Sequence, residues 1–296
     1  MNQYGGGYKF DIQWFVFYNS IGSRNCIENY IPNDFFYARI DPYFNHYSHA
    51  RTFDDKNYYE LYFPKEILPV TIGRKSEGEC MDVDYNPIST DVLIQKCAEK
   101  GSVIVKPAIG TVGGHGISFW NKATNTDKEL QDALGGYRNI VVQDIISQSE
   151  TISRIHPNSI NTIRIMTLFW EGNVSIVSAV LRIGRGGAKV DNVSSGGIAV
   201  GIDSEGNLRN KAYDVNGNSY ESHPTTGVVF SNVKIPNYDA CKNLCVRMAP
   251  RFVRISRLIS WDLALDENNR PVLIEVNLSY GQLDFHQMCN GPLFGD

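Results

Sequence analysis

The chain has 296 residues, with 28 Lys plus Arg against 32 Asp plus Glu and a formal net charge of −4. Without a basic surplus, affinity built on nucleic-acid phosphates is not expected, and no run approaches the roughly 20 apolar residues needed to cross a bilayer. Hydrophobic residues at 42% and charged residues at 20% are the balance of a globular enzyme, long enough for two or three subdomains around one site.

The start, MNQYGGGYKFDIQWFVFY, has no basic n-region and only a short apolar run. No signal peptide is predicted, and a cytoplasmic location is expected. Residues 1–75 are rich in aromatics and turn formers but poor in periodicity. They are expected to be an irregular N-terminal segment, with a helix starting near Asp54–Asp55–Lys56, where Asp suits a cap. From Asp91 the pattern sharpens. DVLIQKCAEKG predicts an amphipathic helix ended by Gly101, and SVIVKP a short buried strand. GTVGGHG is a glycine loop, GISFW a second strand, TDKELQDALGGY a helix capped by Thr126, and NIVVQDII another strand. Beyond Glu150 the hairpin NTIRIMTLFW–EGN–VSIVSAVLRIG is predicted. NYDACKNLCVRMAPRFVR then predicts a helix, and ISWDLALDENNRPVLIEVNLSYG a second hairpin turned by ENNRP. The fold class is α+β, two sheet-containing lobes with a cleft between them. The expected divisions are 1–75, 76–146 and 147–296.

Cys26, Cys80, Cys97, Cys241, Cys245 and Cys289 form no C-x-x-C pair, so reduced, mostly buried thiols are expected. His46 and His49 lack a second cluster and are expected to be ordinary loop or surface histidines.

Two groups of residues carry chemistry. In the last hairpin Glu275 and Asn277 are two apart on a strand and share a face, and the ENNRP turn brings Asp262 alongside. Three hard oxygen donors on a mostly buried sheet suit Mg²⁺ bridging phosphate oxygens, because buried carboxylates need partners or a metal. Lys106 ends a buried strand ahead of the glycine loop. It can place its ammonium on ATP phosphates while the loop amides of Gly113, Gly114 and Gly116 cover them. The spacing is not that of a P-loop.

With these residues in view, the order of elements resembles the ATP-grasp superfamily, and in detail its sugar-transfer-associated branch. The resemblance rests on DDK ending at Lys56, VIVKP with its glycine loop, VVQDII through Glu150, SINTIRI, LR ending at Arg182, VDN ending at Asn192 with the glycines after it, WDLALD, IEVN and the terminal GPLFG. It implies an ATP-grasp fold whose two lobes clasp ATP. Lys56 and Lys106 would hold the phosphates, Gln143 to Ile146 the adenine, and Glu150 the ribose. Asp262, Glu275 and Asn277 would hold two Mg²⁺ ions. Arg182 and Asn192 would attend the γ-phosphate and an acyl phosphate, and Arg164 a phosphate or substrate. D-alanine–D-alanine ligases have an arginine two before the first metal aspartate, whereas here that position is Ser260. The implied activity is ATP-dependent joining of a small-molecule carboxylate, such as a uronic acid, to an amine, with a saccharide acceptor in surface polysaccharide or related synthesis. The alternatives are an ATP-grasp kinase acting on a hydroxyl and a non-catalytic nucleotide-binding regulator.

Overall fold

The computed structural model describes residues 11–21, 27–110 and 113–294. Cys26, the middle of the glycine loop (Thr111 and Val112), Gly295 and the first ten residues lie outside them. The described chain divides into two compact units: Arg51–Ser147 with Val272–Ile274, and a larger unit of the residues up to Ala50, Gln148–Pro271 and those from Glu275 on. Each carries its own sheet. Among the described residues no helix is long and apolar enough to cross a membrane.

In the larger unit, helix α1 (Ile12–Ser20) starts at Asp11, whose side chain accepts the Gln13 amide. Up to Ala50 the chain continues in short helical turns. Aromatics give this segment packing where periodicity is missing. Phe36 is fully buried against Met166, Leu258 and Leu283. Asn45 donates to the Leu258 carbonyl at 2.9 Å and accepts its amide at 3.1 Å. Arg257 lies over Tyr43, Phe44 and Trp170, 5.2–5.7 Å from each ring.

The smaller unit holds strands β1 (Thr71–Ser76), β2 (Glu79–Met81), β3 (Ser102–Pro107), β4 (Ser118–Asn121) and β5 (Ile140–Gln143), with α2 (Thr90–Lys100) and α3 (Asp127–Gly135). The sheet order is β2-β1-β5-β3-β4, with antiparallel pairs. Gly101 ends α2 at φ 85°, a conformation glycine takes without penalty. Thr126 and Glu129 form a capping box on α3. Leu93, Cys97, Leu130 and Leu134 from the helices bury Val103, Val105, Ile140 and Val142 on one face of the sheet. The helix expected at Asp54–Lys56 is a 3-10 turn, Lys56–Tyr58, continued by one α-turn, Tyr59–Tyr62, with Asp55 as its cap. The strand expected over 139–146 stops at Gln143, after which the Asp144 amide turns to the Val70 carbonyl.

The larger sheet is built from β6 (Thr162–Trp170), β7 (Asn173–Ile183), β8 (Ile198–Ile202), β9 (Leu208–Tyr213), β10 (Ser219–Tyr220), β11 (Leu258–Leu265) and β12 (Pro271–Asn277), ordered β10-β9-β8-β7-β6-β11-β12. Both expected hairpins are present, the first turned by Glu171 and Gly172 at positive φ. Helix α4 (Tyr238–Met248) is shorter than expected because Pro250 tightens the chain into a 3-10 turn, Ala249–Phe252. Helix α5 (Leu283–Asn290) was not expected from the sequence. Its Phe285, Met288 and Cys289 pack on Val180 and Ala199.

The aromatic clasp on Arg257 yields a first prediction. Arg257→Ala should lower unfolding free energy by about 1–2 kcal/mol, since cation–π contacts are worth roughly 0.5–1 kcal/mol each at partly exposed sites. A urea titration showing no change would mean the N-terminal turns are held by Phe36 and Asn45 alone.

Candidate active site

Strand parity sets the site in each unit, because residues paired across antiparallel strands share a face. In the smaller unit Lys106 pairs with Val141, and Gln143 with Ile104. Val103 and Val105 face the helices, so Lys106 and Gln143 lie on the other side of the sheet. Gln143 is buried and its Oε1 has no partner. The Lys56 amide donates to the Ala108 carbonyl at 3.0 Å, which brings the two lysine segments together at the exit of β3. Gly113, Gly114 and Gly116 have φ of 71°, 75° and 78°, the left-handed region that other residues avoid. Ile146 lies half-buried beyond the end of β5.

In the larger unit Asp262 on β11 pairs directly with Arg164 on β6. Thr162, two residues earlier on the same face, pairs with Arg182 on β7. Arg164 grips Asp262 with two bonds, Nε to Oδ1 and Nη2 to Oδ2, both 2.7 Å. Arg182 bridges two carboxylates, 3.4 Å from Asp262 and 3.3 Å from Asp191, and donates to the Thr162 hydroxyl at 3.0 Å. Thr162 in turn donates to Asp191 in a short contact. All five side chains are buried. Burial by itself would raise the Asp262 pKa, but Arg164 and Arg182 outweigh it and lower the value to about 2, helped by a hydrogen bond from Asn277. Asn277 also donates to the Ser260 carbonyl at 3.3 Å, and Glu275 acts electrostatically on Arg164.

The loop Asp191–Gly197 positions Asp191. Its fold needs Gly197, where a Cβ would meet the carbonyl oxygens of Asp191, Ile183 and Asn192 at 2.7, 2.8 and 2.9 Å. Asn192 starts the 3-10 turn of this loop, and its carbonyl accepts the Ser195 and Gly197 amides. Glu150 stands apart from the cluster. It is exposed at the start of a short helix and paired with Arg154.

Ser260 joins this face, as do Gln282 and His286, which sequence reasoning passed over. Gln282 accepts from Arg164 Nη1. Ser260, at the position where the resemblance expects arginine, donates to the Gly281 carbonyl at 3.0 Å, and a Cβ on Gly281 would lie 2.6 Å from its Oγ. A longer side chain at 260 would displace that loop. His286 on α5 is fully buried with neither ring nitrogen partnered, and burial followed by the charge of Arg164 lowers its pKa to about 3. The only sequence signal for Gln282 and His286 is their place after IEVN, since α5 has no long apolar periodicity.

A family profile described as sugar-transfer-associated ATP-grasp matches residues 36–294. Among curated protein sequences none matches this chain. Solved structures resemble it at low identity. The biotin carboxylase domain of a 2-oxoglutarate carboxylase from Hydrogenobacter thermophilus, solved with MgADP and bicarbonate, aligns at TM-score 0.50 and 14% identity, over 85% of this chain and 46% of that one. A D-alanyl-alanine synthetase A from Vibrio cholerae aligns at 0.44 and 13%, over 76% and 54%. An L-amino acid ligase from Bacillus licheniformis aligns at 0.40 and 15%, over 79% and 40%. The chain thus spans about half the length of these structures.

The arginine–aspartate cluster should be structural as well as chemical. Asp262→Asn leaves two buried guanidiniums short of an anion and should cost about 3–5 kcal/mol in chemical denaturation. Gly197→Ala forces backbone to move and should cost roughly 1–3 kcal/mol. Wild-type midpoints for both would show that neither the cluster nor the loop constrains the fold.

Proposed function

The chain belongs to the sugar-transfer-associated ATP-grasp family, and on that footing we propose that it is an ATP-dependent ligase that activates a carboxylate as an acyl phosphate and joins it to an amine. The observation that carries this reading is the buried face where Arg164 and Arg182 meet Asp262, with Asn277 bonded to the same carboxylate. A carboxylate and an amine do not condense in water unactivated. Phosphorylation supplies a leaving group, and the chemistry then turns on placing positive charge where negative charge develops.

In this reading Lys56 and Lys106 bind ATP phosphates, and the amides around Gly113, Gly114 and Gly116 cover them. Gln143 to Ile146 takes the adenine, and Glu150 takes the ribose. Asp262, Glu275 and Asn277 fit Mg²⁺ as hard oxygen donors, two of them carboxylates. Both Asp262 oxygens accept from Arg164, and Arg182 and Asn277 approach the same carboxylate; with about four lone pairs, it would take a metal in place of one of these donors. Magnesium held there would neutralise charge on phosphate oxygens. Arg182 and Asn192 attend the γ-phosphate and the acyl phosphate, and Arg164 takes phosphate or the substrate carboxylate. Both arginines are pre-positioned by Asp262, so little reorganisation is needed as charge develops. The family's association with sugar transfer supports a uronic acid or similar carboxylate, with a saccharide among the substrates.

The test supplies ATP and Mg²⁺ with a panel of uronic and amino acids, and hydroxylamine as a trap. At least one carboxylate should release ADP and yield a hydroxamate of the expected mass. ADP formation that ignores the carboxylate, or a phosphorylated hydroxyl as product, would overturn the ligase reading. Glu275→Gln keeps size and hydrogen bonding but removes a charge from the metal set. Its turnover should drop about 10²-fold or more without full rescue by added Mg²⁺. Wild-type turnover would remove Glu275 from the site.

A further inference from the structure

The outer strands of the larger sheet depart from a regular ladder at one place. The pairs run from Ile202–Leu208 to Val200–Ala212, so β9 takes four steps where β8 takes two. On its other side β10 pairs only with Ala212 and Tyr213. Arg209, Asn210 and Lys211 therefore bulge from the ladder, and all three are exposed. Such a bulge re-aims side chains that a regular strand would send to alternate faces. Beside it lies a cavity of about 430 Å³ whose lining includes these three residues with Asp203, Tyr213 and Cys289.

Helix α5 fixes one of the two cations. Asn290 Nδ2 donates to the Ser178 hydroxyl at 3.0 Å and to the Ala179 carbonyl at 2.9 Å, which ties the end of α5 to β7. Its Oδ1 accepts from Arg209 Nε at 3.3 Å. Gly201 lets these groups meet, because a Cβ there would overlap Asn290 Oδ1 and lie 2.8 Å from both Arg209 Cγ and the Cys289 carbonyl. The guanidinium is thus held by Nε, and neither Arg209 nor Lys211 has an ion pair among the described residues. Asp203 is the one carboxylate among the described residues of the lining. Its oxygens accept the Glu205 and Asn207 amides and the Asn207 side chain. Through space it offsets the charge of Arg209, which leaves the lining with a positive charge over.

A guanidinium held by Nε keeps the edge with its two Nη groups for a carboxylate, which it matches with two parallel hydrogen bonds. Lys211 adds a second donor from the same wall. Tyr213 is half-buried and packs on the cluster under α5, so its ring is a fixed wall. The flat apolar face of such a ring suits the C–H side of a sugar, and the Asn210 amide suits its hydroxyls. A nucleic-acid strand needs a basic surplus, which a chain of net charge −4 lacks. We propose that this cavity is a binding site for an acidic saccharide, with a carboxylate on Arg209 and Lys211 and a ring against Tyr213. It goes beyond the ligase reading and does not need it, since none of these groups belongs to the arginine cluster. Direct pairing of Arg182 with Ala199 and of Ala199 with Tyr213 puts Tyr213 in the same cross-strand row as Arg182. The two lie two strand spacings apart, roughly 10 Å, and the Cys289 thiol bonds the Ala199 carbonyl between them. The saccharide is therefore held beside the cluster and not in it.

The probes are trigalacturonate, neutral maltotriose, inorganic phosphate and a short oligothymidylate, titrated calorimetrically into the protein without nucleotide at low salt. Trigalacturonate should bind about tenfold or more tightly than the other three. Arg209→Gln and Lys211→Gln, both at exposed positions, should each weaken it roughly three- to tenfold. Tyr213→Leu should weaken it roughly two- to fivefold, and Tyr213→Phe should leave it near wild type. The exposed pair decides the question even if Tyr213→Leu fails to fold. Phosphate or oligothymidylate binding as tightly as trigalacturonate would make this a plain anion site and overturn the proposal. Equal binding of maltotriose would remove the cations from recognition, and wild-type affinity in both glutamine variants would place the saccharide elsewhere. Either result, or no binding of trigalacturonate at all, also overturns it. Hydroxamate formation from a small carboxylate should be unchanged in Arg209→Gln and Lys211→Gln. Its absence in the wild type would sink the ligase reading instead, and the titrations would still decide the saccharide site.

Discussion

The pairing of Arg164 with Asp262 is the constraint on which the larger unit turns. Two unit charges lie almost out of water, Asp262 about 1% exposed and Arg164 about 7% at the side chain. Removing them from water costs several kcal/mol per ion, and only near-ideal geometry offsets that. The register of β6 on β11 provides the geometry by placing the two residues directly opposite, where a planar guanidinium matches both carboxylate oxygens. A one-residue slip would turn Arg164 to the other face among Trp261, Ile163 and Leu263, with its charge unpaired. The pair therefore specifies register as much as it adds stability.

Other features answer the same pair. Arg182 adds a second cation to Asp262, and Asp191 balances it, held by Thr162 and by a loop that only glycine at 197 can close. Gln282 satisfies a further Arg164 donor, and it reaches there because the 280–282 segment accepts left-handed backbone. Ser260 is small because Gly281 lies against it. Helix α5 then roofs the same face through Phe285, Met288 and Cys289. The segments at 191–197 and 279–290 look like loops in the sequence, and their side-chain identities follow from the ion cluster they enclose.

The elements legible in the sequence are those whose signal is local. Gly101 and Thr126 mark helix ends because the αL cap and the capping box are chemical requirements of a few residues. The two hairpins of the larger sheet announce themselves by long alternation. Lys106 and the glycine loop are visible as a strand end followed by residues free to take positive φ. Strands β1 and β2 are not visible because Gly73 and the fully buried Arg74 break the apolar pattern. Arg74 is tolerated through partners outside its strand: the Asn57 carbonyl at 3.1 Å, Glu60 at 3.3 Å and the Tyr85 ring at 4.0 Å. The N-terminal turns are hidden for a similar reason, since Phe36 and Asn45 find their partners more than a hundred residues away. Of the candidate site, the placing of Glu275 and Asn277 on one face follows from period two. The arginines that saturate Asp262 do not, because strand order within a seven-stranded sheet is not written in any one segment.

On the ligase reading proposed above, this saturation bears on how a cation would reach Asp262, Glu275 and Asn277. With its pKa near 2, Asp262 is ionised and already neutralised by arginine, so a divalent ion arriving there does not meet a bare buried carboxylate. It must share Asp262 with Arg164 or displace one of the two guanidinium bonds, and Mg²⁺ already dehydrates reluctantly. Phosphate oxygens delivered with a nucleotide change that balance, because they give the displaced guanidinium a new anion while they help ligate the metal. Metal and nucleotide binding at this face are therefore expected to be coupled, each lowering the cost of rearranging Arg164 for the other. The same movement would release the Arg164 contact to Gln282. On the ligase reading, the ion pair that sets the strand register is also the contact that a bound metal and nucleotide would have to rearrange.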